Sequence, residues 1–315
     1  MAKTAVVLLN LGGPDSLEAV QPFLENLFND PDIFKLPFQK SLARYISKKR
    51  APKVEKQYKK IGGKSPLGMW TEKQRQMLEI KLREINSETD VYIAMRYWKP
   101  LTGETSKEIE KNNYSKIILL PLYPHYSIST TGSSFNEWRR CYTGNVNTVF
   151  IDSYFDNTLY IKAINEKIDK SLLKFPEEKR KKVYLVFSAH GTPVSYVKKG
   201  DPYSRHIKKT ISAVMKSRKE EYSLCYQSKV GPTKWLEPSS PDKIKELASQ
   251  GNEYLLIIPI SFVSDHIETE FELGIEYKRI ALESGIKSYV VMEGLNDSQT
   301  FINALFEIAK PFLNE

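Results

Sequence analysis

Short runs of Val, Ile and Leu recur along this chain, each too short for a helix and each followed by a longer amphipathic stretch. That alternation constrains the fold more than any other feature. AVVLLNL at 5–11, IILLPL at 117–122, VYLVFSA at 183–189 and LLIIPIS at 255–261 are nearly continuous apolar runs. Strands read this way when helices cover both faces of a parallel sheet. Further strands are expected near 91–96, 147–151, 223–227 and 288–293. Helices are expected near 16–28, 71–86, 102–112, 131–142, 157–173, 203–216, 241–250, 267–284 and 298–310, and Pro176 to Lys182 as an exposed connection. The pattern predicts an α/β protein of two domains, each a four-stranded parallel sheet flanked by helices. The change of domain falls near 152–158, giving 1–155 and 156–315, with the last helix packing back on the first domain. A chain of 315 residues suits two domains.

Several classes of protein drop out. The first apolar run is broken at Asn10 and Gly12, and no run approaches the roughly 18 residues of a membrane span, so the start reads as a buried strand. Cys141 and Cys225 are the two cysteines, without a CxxC, too few for a disulfide scaffold or a four-cysteine metal site. A reducing, cytoplasmic setting is expected. The 47 basic residues against 38 acidic ones are mostly lysines of a solvated surface, and no nucleic-acid partner is expected. From Lys40 to Lys64, however, ten basic residues face one acid, Glu55, just after Ile33-Phe34-Lys35-Leu36-Pro37-Phe38. Grease beside cations suits an amphiphilic anion or an anionic membrane surface, although a solvated basic helix face has the same composition.

In open α/β sheets ligands lie beyond the carboxyl ends of the strands. At those ends stand Leu11-Gly12-Gly13-Pro14, Arg96-Tyr97, Tyr123-Pro124-His125-Tyr126, His190-Gly191, Gln227-Ser228-Lys229 and Ser261-Phe262 to Asp265-His266. Neither glycine motif fits a nucleotide. Gly12-Gly13-Pro14 lacks the third glycine and loses an N–H to proline, and Gly63-Lys64-Ser65 follows no strand. His190 closes a strand and should emerge at the mouth of its sheet. Glu268, Glu272 and Glu276 repeat every four residues and would share one helix face. Such a stripe is often mere surface, but opposite His190 it supplies the mixed N/O ligands that suit ferrous iron or zinc, and two groups that can take protons. Leu11, Tyr97, Tyr123, Tyr126, Trp235 and Phe262 could wall a flat apolar ligand or simply pack. The hydroxyls of Ser127–Ser134 are expected mainly to cap the helix that follows.

At this point the chain resembles the ferrochelatase family. LLNLGGPDSLEAV, KKRAPKVEKQYKKIGGKSPL, MRYWKP, LYPHYSISTTGSS, FSAHGTPVSYVKKGDPY, YQSKVGPTKWLEPS and PISFVSDHIETEFELGIEY are similar to family segments in family order, from residue 6 to residue 277. The resemblance implies two Rossmann-like, chelatase-type domains of similar topology with a porphyrin cleft between them, and an apolar lip at 33–46 touching the inner membrane peripherally. It implies a lyase that inserts Fe2+ into protoporphyrin IX, releasing two protons and forming protohaem. Cobalt or nickel chelation of a related tetrapyrrole, or a non-catalytic haem or metal carrier, are the alternatives. The family's metal-site histidine falls on His190 and its acid on Glu268; Asp265, His266 and Glu272 match the accessory acidic path. Positions matching porphyrin contacts are Leu11, Arg50, Tyr58, Ser65, Arg96, Tyr97 and Trp235, and the walls Tyr126 and Phe262 join them. Arg50 could pair a propionate through two hydrogen bonds. Iron enters as substrate, with no tightly bound cofactor expected. The position matching an internal cluster cysteine is Ile128, so no [2Fe–2S] cluster is expected. His-Gly-Thr-Pro departs slightly from the commoner family order. His190 is expected to accept pyrrole protons and Glu268 to serve the metal; the residues leave the reverse open.

Overall fold

Each apolar run becomes a strand in the computed structural model, which describes residues 3–229 and 233–313; residues 230–232, inside YQSKVGPTKWLEPS, lie outside the described residues. In the first half β1 (Thr4–Asn10), β2 (Thr89–Met95), β3 (Lys116–Pro121) and β4 (Asn147–Phe150) form a sheet of order β2-β1-β3-β4. In the second half β5 (Tyr184–His190), β6 (Tyr222–Gln227), β7 (Tyr254–Pro259) and β8 (Ser288–Val291) repeat it as β6-β5-β7-β8. Every named pairing is parallel. Every residue of the central β1 is buried, as its lack of polar alternation requires. Val7, Leu9 and Leu119 pack with Phe135 and Trp138, and Val186, Leu255 and Ile257 pack with Leu273, Tyr277 and Ile286.

Three departures of the helices from expectation stand out. Gln39–Lys59 is a 21-residue helix that the apolar pattern did not announce. It is polar almost all round and carries Pro52, so period and proline both argued against it. The second departure matters more: the stretch expected as one α-helix over 267–284 is a π-helix at Glu268–Tyr277 followed by an α-helix at Lys278–Glu283. A second π-helix, Ile128–Gly132, follows β3 in the first half and leads into the α-helix Ser133–Cys141. Third, Glu177–Lys182 is a short 3₁₀ turn rather than a plain connection.

The chain groups into two units, one holding residues up to Tyr154 plus the tail from Asn296, the other Phe155–Leu295. Thus the tail drawn within 156–315 lies with the first unit. Its helix Gln299–Ala309 contacts the helix Leu67–Ile85, where Gln74 Nε2 donates to the Asn296 carbonyl at 2.8 Å and Lys73 pairs with Asp297 at 3.3 Å. Among the described residues no helix is long and apolar enough to cross a membrane.

Candidate active site

In the second unit, β5 ends on His190, and three neighbours hold it there. Its backbone N–H donates to Ser261 Oγ at 2.9 Å, and its carbonyl accepts the Tyr203 hydroxyl at 3.0 Å. The ring meets Phe262 edge-on at 6.1 Å. Gly191 then lets the strand ends close: a Cβ there would sit 2.8 Å from the Gln227 carbonyl oxygen and 3.2 Å from the Trp235 ring.

The π-helix brings Glu268 to this imidazole, with His190 Nδ1 and Glu268 Oε2 2.9 Å apart. The same carboxylate oxygen accepts Gln227 Nε2 at 3.1 Å and Ser228 Oγ at 2.8 Å. Gln227 is itself fixed, because its Oε1 accepts the Ser188 hydroxyl at 2.7 Å. Among the described residues neither Glu268 Oε1 nor His190 Nε2 has a hydrogen bond, so one carboxylate oxygen and one ring nitrogen stay open for chemistry. Glu272, one step along the π-helix, accepts the Ser228 N–H at 3.0 Å and the Tyr277 hydroxyl at 2.5 Å on Oε1, while its Oε2 touches Ser228 Oγ. The expected stripe is therefore corrected: Glu268 and Glu272 meet through Ser228, but it is Tyr277 that reaches Glu272, and Glu276 is exposed. The i→i+5 bonding of a π-helix changes which side chains line up, and such helices collect at functional sites.

The charges follow from this packing. Burial opposes the charge on His190, yet the Glu268 carboxylate outweighs it and raises the imidazole pKa. Burial alone would raise Glu268; the neighbouring His190, then His266 and the Ser228 hydroxyl, pull it down to about 2. Glu272 is pushed up by burial and by the negative charge of Glu268. The Ser228 hydroxyl lies within hydrogen-bonding reach of both carboxyl groups and has one proton to share between them.

The other sequence candidates lie as follows. His266 is buried against Phe262 at 4.1 Å with Nδ1 3.2 Å from the Ser264 carbonyl, its Nε2 without a hydrogen bond among the described residues and its pKa lowered by burial. Asp265 accepts the Gly294 N–H at 3.0 Å. Trp235 packs over Gly191. In the first unit Leu11 is half-buried and Arg50 is exposed over the Phe28 ring. Tyr58, Ser65 and Tyr97 are buried, and Tyr126 is half-buried. Arg96 pairs with the fully buried carboxylate of Asp30 at 2.9 Å, and that carboxylate also accepts the Tyr97 and Ser133 hydroxyls at 2.5 Å. Strand register explains why the imidazole sits in one half. Leu9 pairs with Pro121 as Ser188 pairs with Pro259, so Leu11 occupies in the first unit the place of His190 in the second.

Gln227 and Ser228 were visible at a strand end, but nothing in their types marked them as carboxylate holders. Among the described residues no cluster of three or more His, Cys, Asp or Glu side chains could hold a metal ion.

Two parallel sheets of one strand order, with an imidazole–carboxylate pair at a strand tip, define a chelatase-type α/β protein. The fold is similar to that of the sirohydrochlorin chelatase SirB from Bacillus subtilis subspecies spizizenii in complex with cobalt, at TM-score 0.55 and 8% identity, covering 99% of this chain and 96% of that one. The chain belongs to the ferrochelatase family, whose model matches residues 3–312. It is 46% identical over 321 residues to the ferrochelatase of Geotalea daltonii, covering 99% of each chain. It is also 46% identical over 313 residues to that of Aquifex aeolicus, covering 98% of this chain and 99% of the relative. The family's reaction, insertion of ferrous iron into protoporphyrin for haem synthesis, is this chain's activity, and it is an enzyme of the lyase class. A cobalt or nickel chelatase or a passive carrier is not favoured.

Proposed function

We propose that His190 takes the pyrrole protons and Glu268 serves the iron. The observation that carries this is the 2.9 Å contact of His190 Nδ1 with Glu268 Oε2. In the neutral tautomer with Nδ1–H donating to the carboxylate, Nε2 keeps its lone pair as a base. The carboxylate strengthens that base by stabilising the imidazolium that forms. Glu268 Oε2 is already filled by three donors, which leaves Oε1 as a hard oxygen ligand to replace water on ferrous iron. Binding energy from the porphyrin face bends the macrocycle so that its nitrogens leave the ring plane. Phe262, Trp235, Leu11 and Tyr126 are the porphyrin walls that the family resemblance assigns, with Arg50 as the partner of a propionate. Arg96, Tyr97, Tyr58 and Ser65 complete the porphyrin-contacting set taken from the resemblance. Glu272, His266 and Asp265 make up the accessory acidic path that the resemblance assigns.

The same reading makes the protein cytoplasmic and peripheral at the inner membrane. Phe38 is 89% exposed at the head of the basic helix, with a left-handed φ of 48°, an arrangement that suits an anionic bilayer. Iron is a substrate, and no [2Fe–2S] cluster is part of the proposal.

The test is an anaerobic assay following the porphyrin Soret band on addition of Fe2+, with spectroscopic metal titration of His190→Ala and Glu268→Ala. Both variants should lose turnover, with metal affinity falling in Glu268→Ala. Undiminished metal affinity in Glu268→Ala would defeat the assignment.

A further inference from the structure

Ser228 holds a conformation that residues with a Cβ rarely adopt, φ 65°, at the residue following β6. What that conformation achieves is visible in its bonds. The backbone N–H reaches Glu272 Oε1 at 3.0 Å, and the hydroxyl reaches both Glu268 Oε2, at 2.8 Å, and Glu272 Oε2. One residue thus engages two carboxyl groups of the π-helix with its main chain and its side chain together. An extended residue at this strand end would send N–H and Oγ in different directions. Backbone conformations of this kind persist where the surroundings over-determine them, and they cluster at functional sites. Gln227 completes the clamp from the strand side, since it too donates to Glu268 Oε2.

From this geometry we infer that Ser228 is a positioning residue: its left-handed backbone and hydroxyl lock Glu268 and Glu272 together, so that Glu268 presents Oε2 to His190 and keeps Oε1 open for the metal. The inference rests on the reading of His190 and Glu268 given above. Ser228 acts through the two carboxyl groups it contacts. Outer partners that fix a ligand's orientation are typically worth about 10–100-fold in metal affinity or activity.

Glycine separates this role from a merely structural one. Ser228→Gly removes the hydroxyl, keeps the amide bond to Glu272 and releases the left-handed strain. Its thermal midpoint should equal or exceed that of the wild type. Its kcat for anaerobic Fe2+ or Zn2+ insertion should fall by about 10–100-fold, with KM for the metal rising. Ser228→Asn, which tolerates the left-handed region and restores an N–H donor, should recover most of the loss. Wild-type rates in Ser228→Gly, a midpoint that falls in step with its activity, or an Asn variant no better than the Gly variant would each overturn the inference. His190→Ala belongs in the same series. If it retains full turnover, the underlying site reading fails and takes this one with it; if it is inactive while Ser228→Gly is not, only the role of Ser228 is lost.

Discussion

Replacing Asp30 with Ala should unfold the first unit at a markedly lower temperature, because this carboxylate is a completely buried charge with a buried counter-charge. Its side chain has 0% exposure against 9% for Arg96, and the pair is 2.9 Å apart. It also accepts the hydroxyls of Tyr97 and Ser133 and, on Oδ1, the Asp32 N–H at 2.8 Å. Its carbonyl accepts Phe34 N–H at 2.9 Å, so the same residue ties down the start of the 33–38 segment. Taking one partner from a buried pair leaves the other charge uncompensated, at a cost of about 3–5 kcal/mol. Glu137, 3.6 Å from the Arg96 guanidinium, should hold the loss near the lower end. At about 2–4 °C per kcal/mol for a unit of this size, the midpoint should drop by about 6–12 °C for a loss near 3 kcal/mol. Differential scanning calorimetry of the wild type, Asp30→Ala, Arg96→Met and the double variant measures it. The double variant removes both charges and should be more stable than Asp30→Ala alone, giving a coupling of at least about 1 kcal/mol. Additive losses, or a shift of less than 2 °C in Asp30→Ala, would show that the pair is not the buried, mutually dependent unit described here.

Three further outcomes are expected. The pH dependence of kcat/KM should rise through an apparent pKa above the ordinary 6.5 of histidine, since base catalysis needs neutral His190 and Glu268 raises its pKa; Glu268→Gln should lower the imidazole pKa by NMR titration, and an unmoved value would break the link. For stability, Glu268 contributes above the ordinary carboxylate value of 4.5 and loses that contribution as pH falls toward about 2, while His190 contributes below 6.5 and loses it as pH rises through its raised pKa. The midpoint difference between wild type and Glu268→Gln should therefore be largest between pH 4.5 and 6.5, and a difference that is flat from pH 3 to 9 would contradict the pairing. Binding to anionic vesicles should weaken steeply with salt, and Phe38→Ser should weaken it about 10- to 100-fold in a flotation assay, as expected from losing about 1.5–3 kcal/mol of apolar burial; salt-independent binding would exclude the basic helix.

The strand tips were legible because their cause is local. An apolar run of six or seven residues leaves little choice but a buried parallel strand, and its carboxyl end points to where a ligand can sit. That reasoning placed His190 correctly at the mouth of its sheet. It could not give the distance to Glu268, 78 residues away, because two loops decide it. It gave no bounds for the helix Gln39–Lys59, legible only as the composition of a basic helix face, because its faces differ too little in polarity to show a period.

The succession of strands along the chain, and the residue types offered at each strand tip, were therefore set by the sequence alone, through burial of short Val, Ile and Leu runs. Only the tertiary structure decided that Glu268 to Tyr277 winds as a π-helix, that Ser228 turns left-handed to join two carboxyl groups, and that Arg96 is held by a buried Asp30. The last two depend on contacts between residues far apart in the chain. Spacing every four residues fits an ordinary helix equally well, and the partners that tip the balance come from other strands.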